Sequence, residues 1–343
     1  MTAHRFQSIL ISSTLASLWI MTAPDIARSA PCYYEDSGSY YPERVECEST
    51  ASATSALGQT LQSLGESFVQ QQLSFGALGA FAGPTGRLRH TAHDGLRVKG
   101  INRRTSEFEV DEGSVFANGS YDLPGTVFGG RVRVSGLVGY TRLEQEDNVI
   151  KTEIDSVIYG GSYLWSKGQF YTMALVIGLH GEAHGSDGLD AFDHDVHGYF
   201  ANAVAGYTFD LMGGTRFDLR AGLGHYDVKT GSFVIERFTG EAMKGFSDAS
   251  HASLTGTLFT LIETGGGTMR PYVLASYKNV FCETIRTVGA LDASFSQADD
   301  YGKVEFGFDY GAGRVTYGGA AYTEFSADET TFGARLGLSV KLQ

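Results

Sequence analysis

Hydrophobic and polar residues alternate through most of the chain, and the last twelve residues, FGARLGLSVKLQ, show this pattern most clearly. Apolar side chains occupy every second position from Phe332 to Leu342, and glycine or polar side chains occupy the others. Successive side chains of a β-strand point to opposite faces, so the pattern predicts a strand with one apolar and one polar face. By itself this fits two classes of protein: a soluble sandwich with its apolar face on the core, and a membrane barrel with its apolar face on lipid.

A period of two continues over most of the sequence and predicts about twelve strands. The alternation is regular in RVRVSGLVGY, RFDLRAGLG and KVEFGFDYG. Several strands are longer than the roughly five to six residues usual in soluble sheets. The predicted strands lie near 94–103, 107–123, 129–144, 150–165, 168–184, 195–211, 214–228, 247–263, 268–282, 301–312, 313–325 and 330–343, and the faces of the first, eighth and ninth are ambiguous.

The connections between the predicted strands alternate between short and long. The short set contains PGTVFGG, SKG, MGG, GGG and an Ala-Gly turn. The other set contains EAHGSDGLDAFDHD, KTGSFVIERFTGEAMKGF and CETIRTVGALDASFSQADD, which are long and polar. With both chain ends on the short-turn side, this arrangement is typical of an outer-membrane barrel. A soluble sandwich has no reason to shorten every second loop.

A helical period precedes the strands. Apolar residues at spacings of four, three and four predict an amphipathic helix within residues 51–82. Its polar face consists of serine, threonine and glutamine, and Glu66 is its only charge. Such a face suits a confined wet space such as a barrel lumen; the alternative is a surface helix packed on a soluble core. The apolar residues are Leu57, Leu61, Leu64 and Phe68.

Composition and charge narrow the class of protein. The 343 residues include 45 glycines and only 6 prolines, with 12% aromatic and 19% charged residues, which suits many strands joined by tight turns. The mean hydropathy of −0.10 is odd for a helical membrane protein but expected when membrane segments are half polar. A net charge of −13 argues against nucleic acid as a partner.

The first 29 residues are predicted to be a signal peptide. His4 and Arg5 begin it, an apolar stretch runs from Ile9 to Met21, and Ala27-Arg28-Ser29 offers a small-x-small cleavage site. After it, no apolar run approaches the roughly 18 to 20 residues that a spanning helix needs. The sequence therefore indicates an exported protein that, if it sits in a membrane, crosses it with strands.

Three cysteines remain to be assigned. Cys32 and Cys47 bracket CYYEDSGSYYPERVEC, which an oxidising compartment could close into a disulfide. Their spacing does not indicate a metal site. Cys282 is left unpaired, and the simplest interpretation is a small buried residue.

Three stretches, RPYVLASY, GFDYGAGRVTYGGAAY and the closing FGARLGLSVKLQ, together with the order of a helix and about twelve strands, resemble the translocator barrel of the autotransporter family. The resemblance covers about three quarters of the chain. It implies an outer-membrane barrel filled by the preceding helix, which helps to export an N-terminal passenger. The implied partners are outer-membrane lipid, the barrel-assembly machinery and periplasmic chaperones. No nucleic acid is expected, and the protein is expected to be a monomer in the outer membrane of a Gram-negative bacterium.

The sequence departs from the family pattern in three ways. It ends on Leu342-Gln343, where members usually have an aromatic residue, and residues 51–86 contain no asparagine pair at which some members cleave the passenger. Only a short Cys-bracketed segment lies before the helix, whereas a usual passenger is much longer. The expected domains are a signal peptide (1–29), the Cys-bracketed segment (30–50), the pore helix and linker (51–86) and the barrel (87–343).

One stretch is rich in side chains that could carry chemistry. Neighbouring histidine and aspartate can form a base and its orienting partner or bind a metal, although the alternative is a solvated loop. No serine or cysteine sits in a nucleophile motif, HExxH is absent, and Gly265-Gly266-Gly267 indicates a turn rather than a phosphate site. We expect no enzymatic activity, cofactor or metal, with a hydrolase centred on His194 as the weakest alternative. The residues are His180, His184, Asp187, Asp190, Asp193, His194, Asp195 and His197.

Charged residues fall mainly on the polar face of the strands, where a wet lumen can solvate them. On the lipid face a lysine or arginine would cost roughly 2 to 4 kcal/mol at the midplane. The arginines either make the lumen anion-selective or bond to the helix and to inward acids. Two functions follow: a passenger-poor translocator or surface barrel, and a pore for small solutes, which needs an open lumen. The candidate lumen-lining residues are Arg131, Arg133, Arg216, Asp218, Arg220, Lys303, Glu305, Asp309, Arg314, Arg335 and Lys341.

Overall fold

The structure is a computed structural model, and it describes only part of the chain. The signal peptide, Cys32 and Cys47, and the expected domain boundaries lie outside the described residues. Side chains are not described at 92–109, 192, 233–234, 242–243, 282–283, 285–288, 293–295 and 341–342. The described residues are 54, 56–70, 72–73, 92–104, 109–146, 151–186, 191–234, 242–288, 293–295, 300–326 and 330–342.

Twelve long strands of 11 to 22 residues form the wall, and three short strands pair with them. The long strands are β1 (Ala92–Arg104), β2 (Glu109–Asp122), β3 (Arg131–Glu146), β4 (Lys151–Lys167), β5 (Phe170–Ser186), β6 (Ala191–Asp210), β7 (Thr215–Thr230), β9 (Ala242–Thr260), β11 (Gly267–Val288), β13 (Asp300–Ala312), β14 (Val315–Phe325) and β15 (Thr330–Leu342). The short strands are β8 (Phe233–Val234), β10 (Ile262–Thr264) and β12 (Ala293–Phe295).

The wall closes on itself. Each long strand pairs antiparallel with the next, including β7 with β9, β9 with β11 and β11 with β13. The last strand, β15, pairs with β1 from Ala92↔Leu342 to Arg104↔Thr330. A closed sheet leaves no free edge along these strands. The prediction of an antiparallel barrel of about twelve strands is confirmed.

The two faces of the wall differ as the alternation predicts. On β15, Leu336 and Leu338 are exposed on the outside, whereas Arg335 and Ser339 are buried on the inside. The same division recurs around the ring and produces an exposed apolar belt. Exposed outer residues of this belt include Val138, Tyr159, Val176, Tyr199, Leu223, Leu254, Tyr277, Phe306 and Phe332.

The turns after β4, β6 and β13 are short and lie at one end of the barrel. At the opposite end only four residues separate β1 from β2, β3 from β4 and β5 from β6, so the predicted alternation of short and long connections is only partly present. Glycines with positive φ make the short turns at Gly168, Gly213 and Gly313, a backbone conformation that other residues rarely adopt. Residues 265–266 also form a turn, as the glycine run indicated.

At the opposite end the strands are longer than predicted. β5 continues to Ser186 and β6 begins at Ala191, so most of the predicted loop EAHGSDGLDAFDHD is strand. β9 and β11 likewise extend into the other two predicted loops. On β5 and β6 the extensions carry polar side chains on both faces, such as His184 outside and His194 inside, so the alternation that reveals a strand in sequence is missing there.

A close contact between glycine and tyrosine near the closing strands generates a prediction. Gly333 of β15 lies opposite Tyr322 of β14, and a Cβ atom at this glycine would come 2.2 Å from the tyrosine ring. Because Tyr322 is buried, the ring has little room to move. We expect Gly333→Ala to destabilise the barrel by about 1–3 kcal/mol, the usual cost of overpacking. The temperature at which the folded barrel loses its compact form on gel electrophoresis measures this.

The matched control for this substitution is Gly113→Ala on β2, where no atom lies within 4 Å of the added Cβ. Its melting temperature should stay close to that of the unmodified protein. Equal effects of the two substitutions would show that the tyrosine contact does not matter.

Candidate functional site in the barrel lumen

The barrel interior is filled by a helix, α1, whose described residues are 54, 56–70 and 72–73. Its apolar residues are buried, with Leu57, Leu61 and Phe68 at 0% exposure. Its polar residues are buried as well, including Thr60 at 1% and Gln70 at 4%. A helix on the surface of a soluble core would leave its polar face in water. The prediction of a helix in the lumen is confirmed, and the alternative of a surface helix is wrong.

Side-chain contacts show the direction of α1. The hydroxyl of Thr54 lies against Gly245, near the start of β9 at the end away from the short turns. Thr60 donates a hydrogen bond to Glu112 on β2 over 2.9 Å, and Gln72 donates to Ser120 on the same strand over 3.1 Å. The step from Thr60 to Gln72 rises about 18 Å, which matches the height between the two β2 residues on a tilted strand. The helix therefore runs along the barrel axis toward the short turns.

Two glycines of α1 receive aromatic rings from the wall. A Cβ atom at Gly58 would come 2.2 Å from the ring of Tyr226, and one at Gly65 would come 2.2 Å from the ring of Phe200. The glycines are seven residues apart and so lie on one face of the helix. Each costs the helix about 0.8–1 kcal/mol relative to alanine. The close approach of the two rings explains their presence.

The single charge of α1 lies opposite lysines of the wall. Glu66 accepts a hydrogen bond from Gln62 over 3.0 Å, and its carboxylate is 3.8 Å from Nζ of Lys303 on β13. Lys278 on β11 and Glu324 on β14 form an ion pair of 2.7 Å beside the same part of the helix. The sequence analysis named Lys303 but missed Lys278 and Glu324. The face of β11 was ambiguous in the sequence, which is why Lys278 was missed.

Buried ion pairs join the wall strands β11, β13 and β15 on the short-turn side of Glu66. Arg335 of β15 donates to Glu305 of β13 and to the hydroxyl of Tyr272 of β11, the latter over 3.0 Å. Tyr272 in turn donates to Glu305 over 2.9 Å. Beside them, Arg270 donates to Asp309 over 2.6 Å. Each of these charges is at most 5% exposed, so the pairing offsets the cost of removing them from water.

A second group of inward charges lies on β2, β3 and β7. Asp218 accepts hydrogen bonds from Tyr171 over 2.9 Å and from Thr208 over 3.1 Å, and Arg220 is 3.6 Å from it. Arg133 forms an ion pair with Asp122 at 2.6 Å. Tyrosines are common in strands whichever face they occupy, so the sequence alone did not single out the tyrosines of these clusters.

The remaining candidate lining residues lie at the edge of the lumen or outside it. Arg131 is exposed at the short-turn end, and Arg216 there pairs with Asp210 at 2.9 Å. Arg314 was expected to line the lumen, but it lies exposed in the turn between β13 and β14. A turn residue belongs to neither face of a strand, so the alternation does not apply to it. Lys341 lies on β15, and its side chain is not among those described.

The histidine and aspartate cluster is divided between the two faces of β5 and β6. His184 and Asp193 pair on the outside at 2.8 Å, whereas His194 is partly buried on the other face. Burial lowers the pKa of His194 to about 4, so its ring is neutral near pH 7. Among the residues that the structure describes, no three histidine, cysteine or acidic side chains converge to hold a metal. Asp187 and Asp190 lie outside that part of the chain.

No protein-family model and no curated protein matches the sequence. The translocator domain of the autotransporter NalP from Neisseria meningitidis matches with a TM-score of 0.64 and 11% identity, over 88% of this chain and 99% of that chain. The chain has the fold of an autotransporter translocator barrel.

Two further solved structures share this fold. The β domain of the Bordetella autotransporter BrkA matches with a TM-score of 0.58 and 13% identity, over 74% of this chain and 100% of that chain. The transport unit of AIDA-I from Escherichia coli matches with a TM-score of 0.59 and 12% identity, over 79% and 97%. In the described part of the chain, no helix is both long and apolar enough to span a bilayer.

The contact between Gly65 and Phe200 generates a prediction about the lumen of the barrel. We expect the unmodified protein to show little steady conductance in planar bilayers, because α1 fills its lumen. A leucine side chain at residue 65 would overlap the buried Phe200 ring, so Gly65→Leu should displace α1 and raise the conductance several-fold.

The control is Gln59→Leu, a substitution at a half-buried position of the same helix, which should leave the conductance low. Gly58→Ala, which adds a single methyl group against Tyr226, provides a milder variant if Gly65→Leu does not fold. A large steady conductance in the unmodified protein would show that the lumen is open.

The pair of His184 and Asp193 generates a prediction about pH. The hydrogen bond to Asp193 raises the pKa of His184 above its ordinary value. Its contribution to stability is therefore fully present below the ordinary pKa and is lost as the pH rises through the raised one. NMR titration of the imidazole should show this raised pKa, and Asp193→Asn should return it toward about 6.5.

Asp195→Asn removes a carboxylate from the same face of the same strand without removing the hydrogen bond. The pKa of His184 should stay raised in this variant. A pKa that falls equally with both substitutions would mean that general charge, and not the hydrogen bond, is the cause.

Proposed function

We propose that this protein is an outer-membrane β-barrel of the autotransporter type, and that it presents the segment preceding α1 on the outer side of the membrane. The observation that carries the proposal is the direction of α1. The helix lies inside the barrel with its N-terminal end at Gly245 and its C-terminal end toward the short turns. The first described residue of α1 therefore lies at the end of the lumen away from the short turns.

The outer face of the wall supports a position in a membrane. Exposed apolar residues such as Val138 (56%), Leu223 (63%) and Leu336 (68%) occupy a continuous belt. A soluble monomer rarely exposes an apolar surface of this extent, whereas a closed barrel in lipid requires one. Beyond the belt, away from the short turns, outer residues become charged, as Arg142 and Glu144 do on β3. A boundary of this kind is expected where the wall leaves the hydrocarbon.

Orientation follows from the turns. Outer-membrane barrels have short turns on the periplasmic side and longer loops outside. With that orientation the N-terminal end of α1 lies at the cell surface, together with the segment that contains Cys32 and Cys47. The NalP, BrkA and AIDA-I structures are a translocator domain, a β domain and a transport unit of autotransporters, and the shared fold is consistent with translocation of this segment.

The remaining parts of the proposal follow from this role. The signal peptide of residues 1–29 directs export in a Gram-negative bacterium, periplasmic chaperones and the barrel-assembly machinery receive the chain, and the barrel functions as a monomer in outer-membrane lipid. A pore for small solutes is the alternative. It would require α1 to leave the lumen, and the buried contacts at Gly58, Gly65 and Glu66 oppose this.

Accessibility on intact cells tests the proposed orientation. We expect an epitope tag inserted after residue 50 to bind antibody without permeabilisation, because this residue precedes the outer end of α1. The same tag inserted between Gly213 and Gly214, in a short turn, should bind only after the outer membrane is permeabilised.

The pair of insertions makes the outcome unambiguous. If the tag after residue 50 is reached only in permeabilised cells, the segment is periplasmic and the translocator proposal fails. If both tags are reached on intact cells, the assigned orientation of the short turns is wrong.

A further inference from the structure

A cavity of about 470 Å³ lies beside the last described residues of α1, at the short-turn end of the barrel. Its volume falls within the roughly 300–1,000 Å³ of sites that hold small molecules. Gln70 and Leu73 close it on the helix side, and Arg131 lies at its mouth. Strands far apart in the sequence contribute its wall.

The cavity carries an excess of positive charge. Four cationic side chains line it against two carboxylates. Both carboxylates have partners: Asp210 pairs with Arg216, and Asp218 accepts from Tyr171 and Thr208 and lies 3.6 Å from Arg220. The cationic residues are Arg131, Lys167, Arg220 and Arg270.

The arginines differ in how fully they are paired. Arg270 is held by Asp309 and lies between the rings of Phe259 and Tyr272, 5.1 Å from each centroid. The guanidinium of Arg220 forms an ion pair of 3.6 Å with Asp218 and also interacts with the hydroxyl of Tyr171, and its side chain is 11% exposed. A guanidinium has five N–H donors, so Arg220 retains donors for another oxyanion.

Two buried polar atoms of the cavity lining have no hydrogen-bond partner among the described residues. They are Oε1 of Gln70, on a residue that is 4% exposed, and Oγ1 of Thr257, on a residue that is 2% exposed. Buried polar atoms in native proteins are almost always paired. An anionic oxygen would satisfy the hydroxyl of Thr257 by accepting its hydrogen bond. The apolar part of the lining, from Leu164 and Phe259, suits an apolar body.

We propose that this cavity binds a small organic anion, with its carboxylate, sulfonate or phosphate on Arg220 and Thr257 and its apolar body against Phe259 and Leu164. Arg131 at the mouth attracts the anion by its charge. The site does not depend on the direction of α1 in the membrane or on presentation of the N-terminal segment.

Isothermal titration of the full chain in lipid nanodiscs tests this proposal, with 4-phenylbutyrate as the probe and empty nanodiscs as the blank. We expect saturable binding of one probe per protein that weakens as salt is added. The neutral analogue 4-phenyl-1-butanol has the same apolar body and should give no saturable heat beyond that of the blank.

Three variants locate the site. Arg220→Gln should weaken binding about tenfold or more, since a hydrogen bond to a charged group is lost. Thr257→Val, which keeps the side-chain shape and every charge, should weaken it less and serves if Arg220→Gln does not fold. Arg142→Gln removes an arginine from the outer wall and should leave the affinity unchanged.

Several results would overturn the proposal. Absence of saturable heat at millimolar probe, equal binding of the neutral alcohol, or unchanged affinity in both Arg220→Gln and Thr257→Val would each exclude an anion site here. Loss of affinity in Arg142→Gln equal to that in Arg220→Gln would assign the binding to general charge.

Discussion

Closure of the sheet between β1 and β15 is the constraint on which the rest of the structure depends. Thirteen residue pairs join the first long strand to the last, so backbone N–H and C=O groups find partners around a complete ring. Closure also separates the two faces of every strand. The outer face becomes a continuous belt, and the inner face encloses a narrow space. An apolar side chain is favourable on the outer face, and a polar side chain on the inner face needs a partner.

The contents of the lumen follow from that need for partners. Inward charges pair across strands, as Arg335 does with Glu305. Uncharged polar residues of α1 need only a hydrogen bond rather than a counter-ion, as Thr60 obtains from Glu112. A helix rich in serine, threonine and glutamine therefore fits a space lined by polar strands. The single carboxylate, Glu66, lies where lysines are present.

The two ends of the lumen differ, and this difference connects the two proposals. At one end Thr54 of α1 lies against Gly245 of β9. At the other end, next to the last described residues of α1, lies a cavity lined by arginines. The proposed presentation of a segment uses the end at Thr54, and the proposed binding of an anion uses the end with the short turns. A barrel that holds a helix along its axis can supply both.

The sequence by itself determined the class of the fold: about twelve strands, an interior helix and most of the inward charges. These are local properties, because alternation, helical spacing and glycine turns act within a few residues. It failed where strands rise beyond the apolar belt, since both faces are polar there, and at Arg314, which lies in a turn. Only the tertiary structure decided the direction of α1, the contact of Gly65 with Phe200, and the cavity at Arg220. Each depends on residues far apart in the chain, and their distances are set by closure and register rather than by any local pattern.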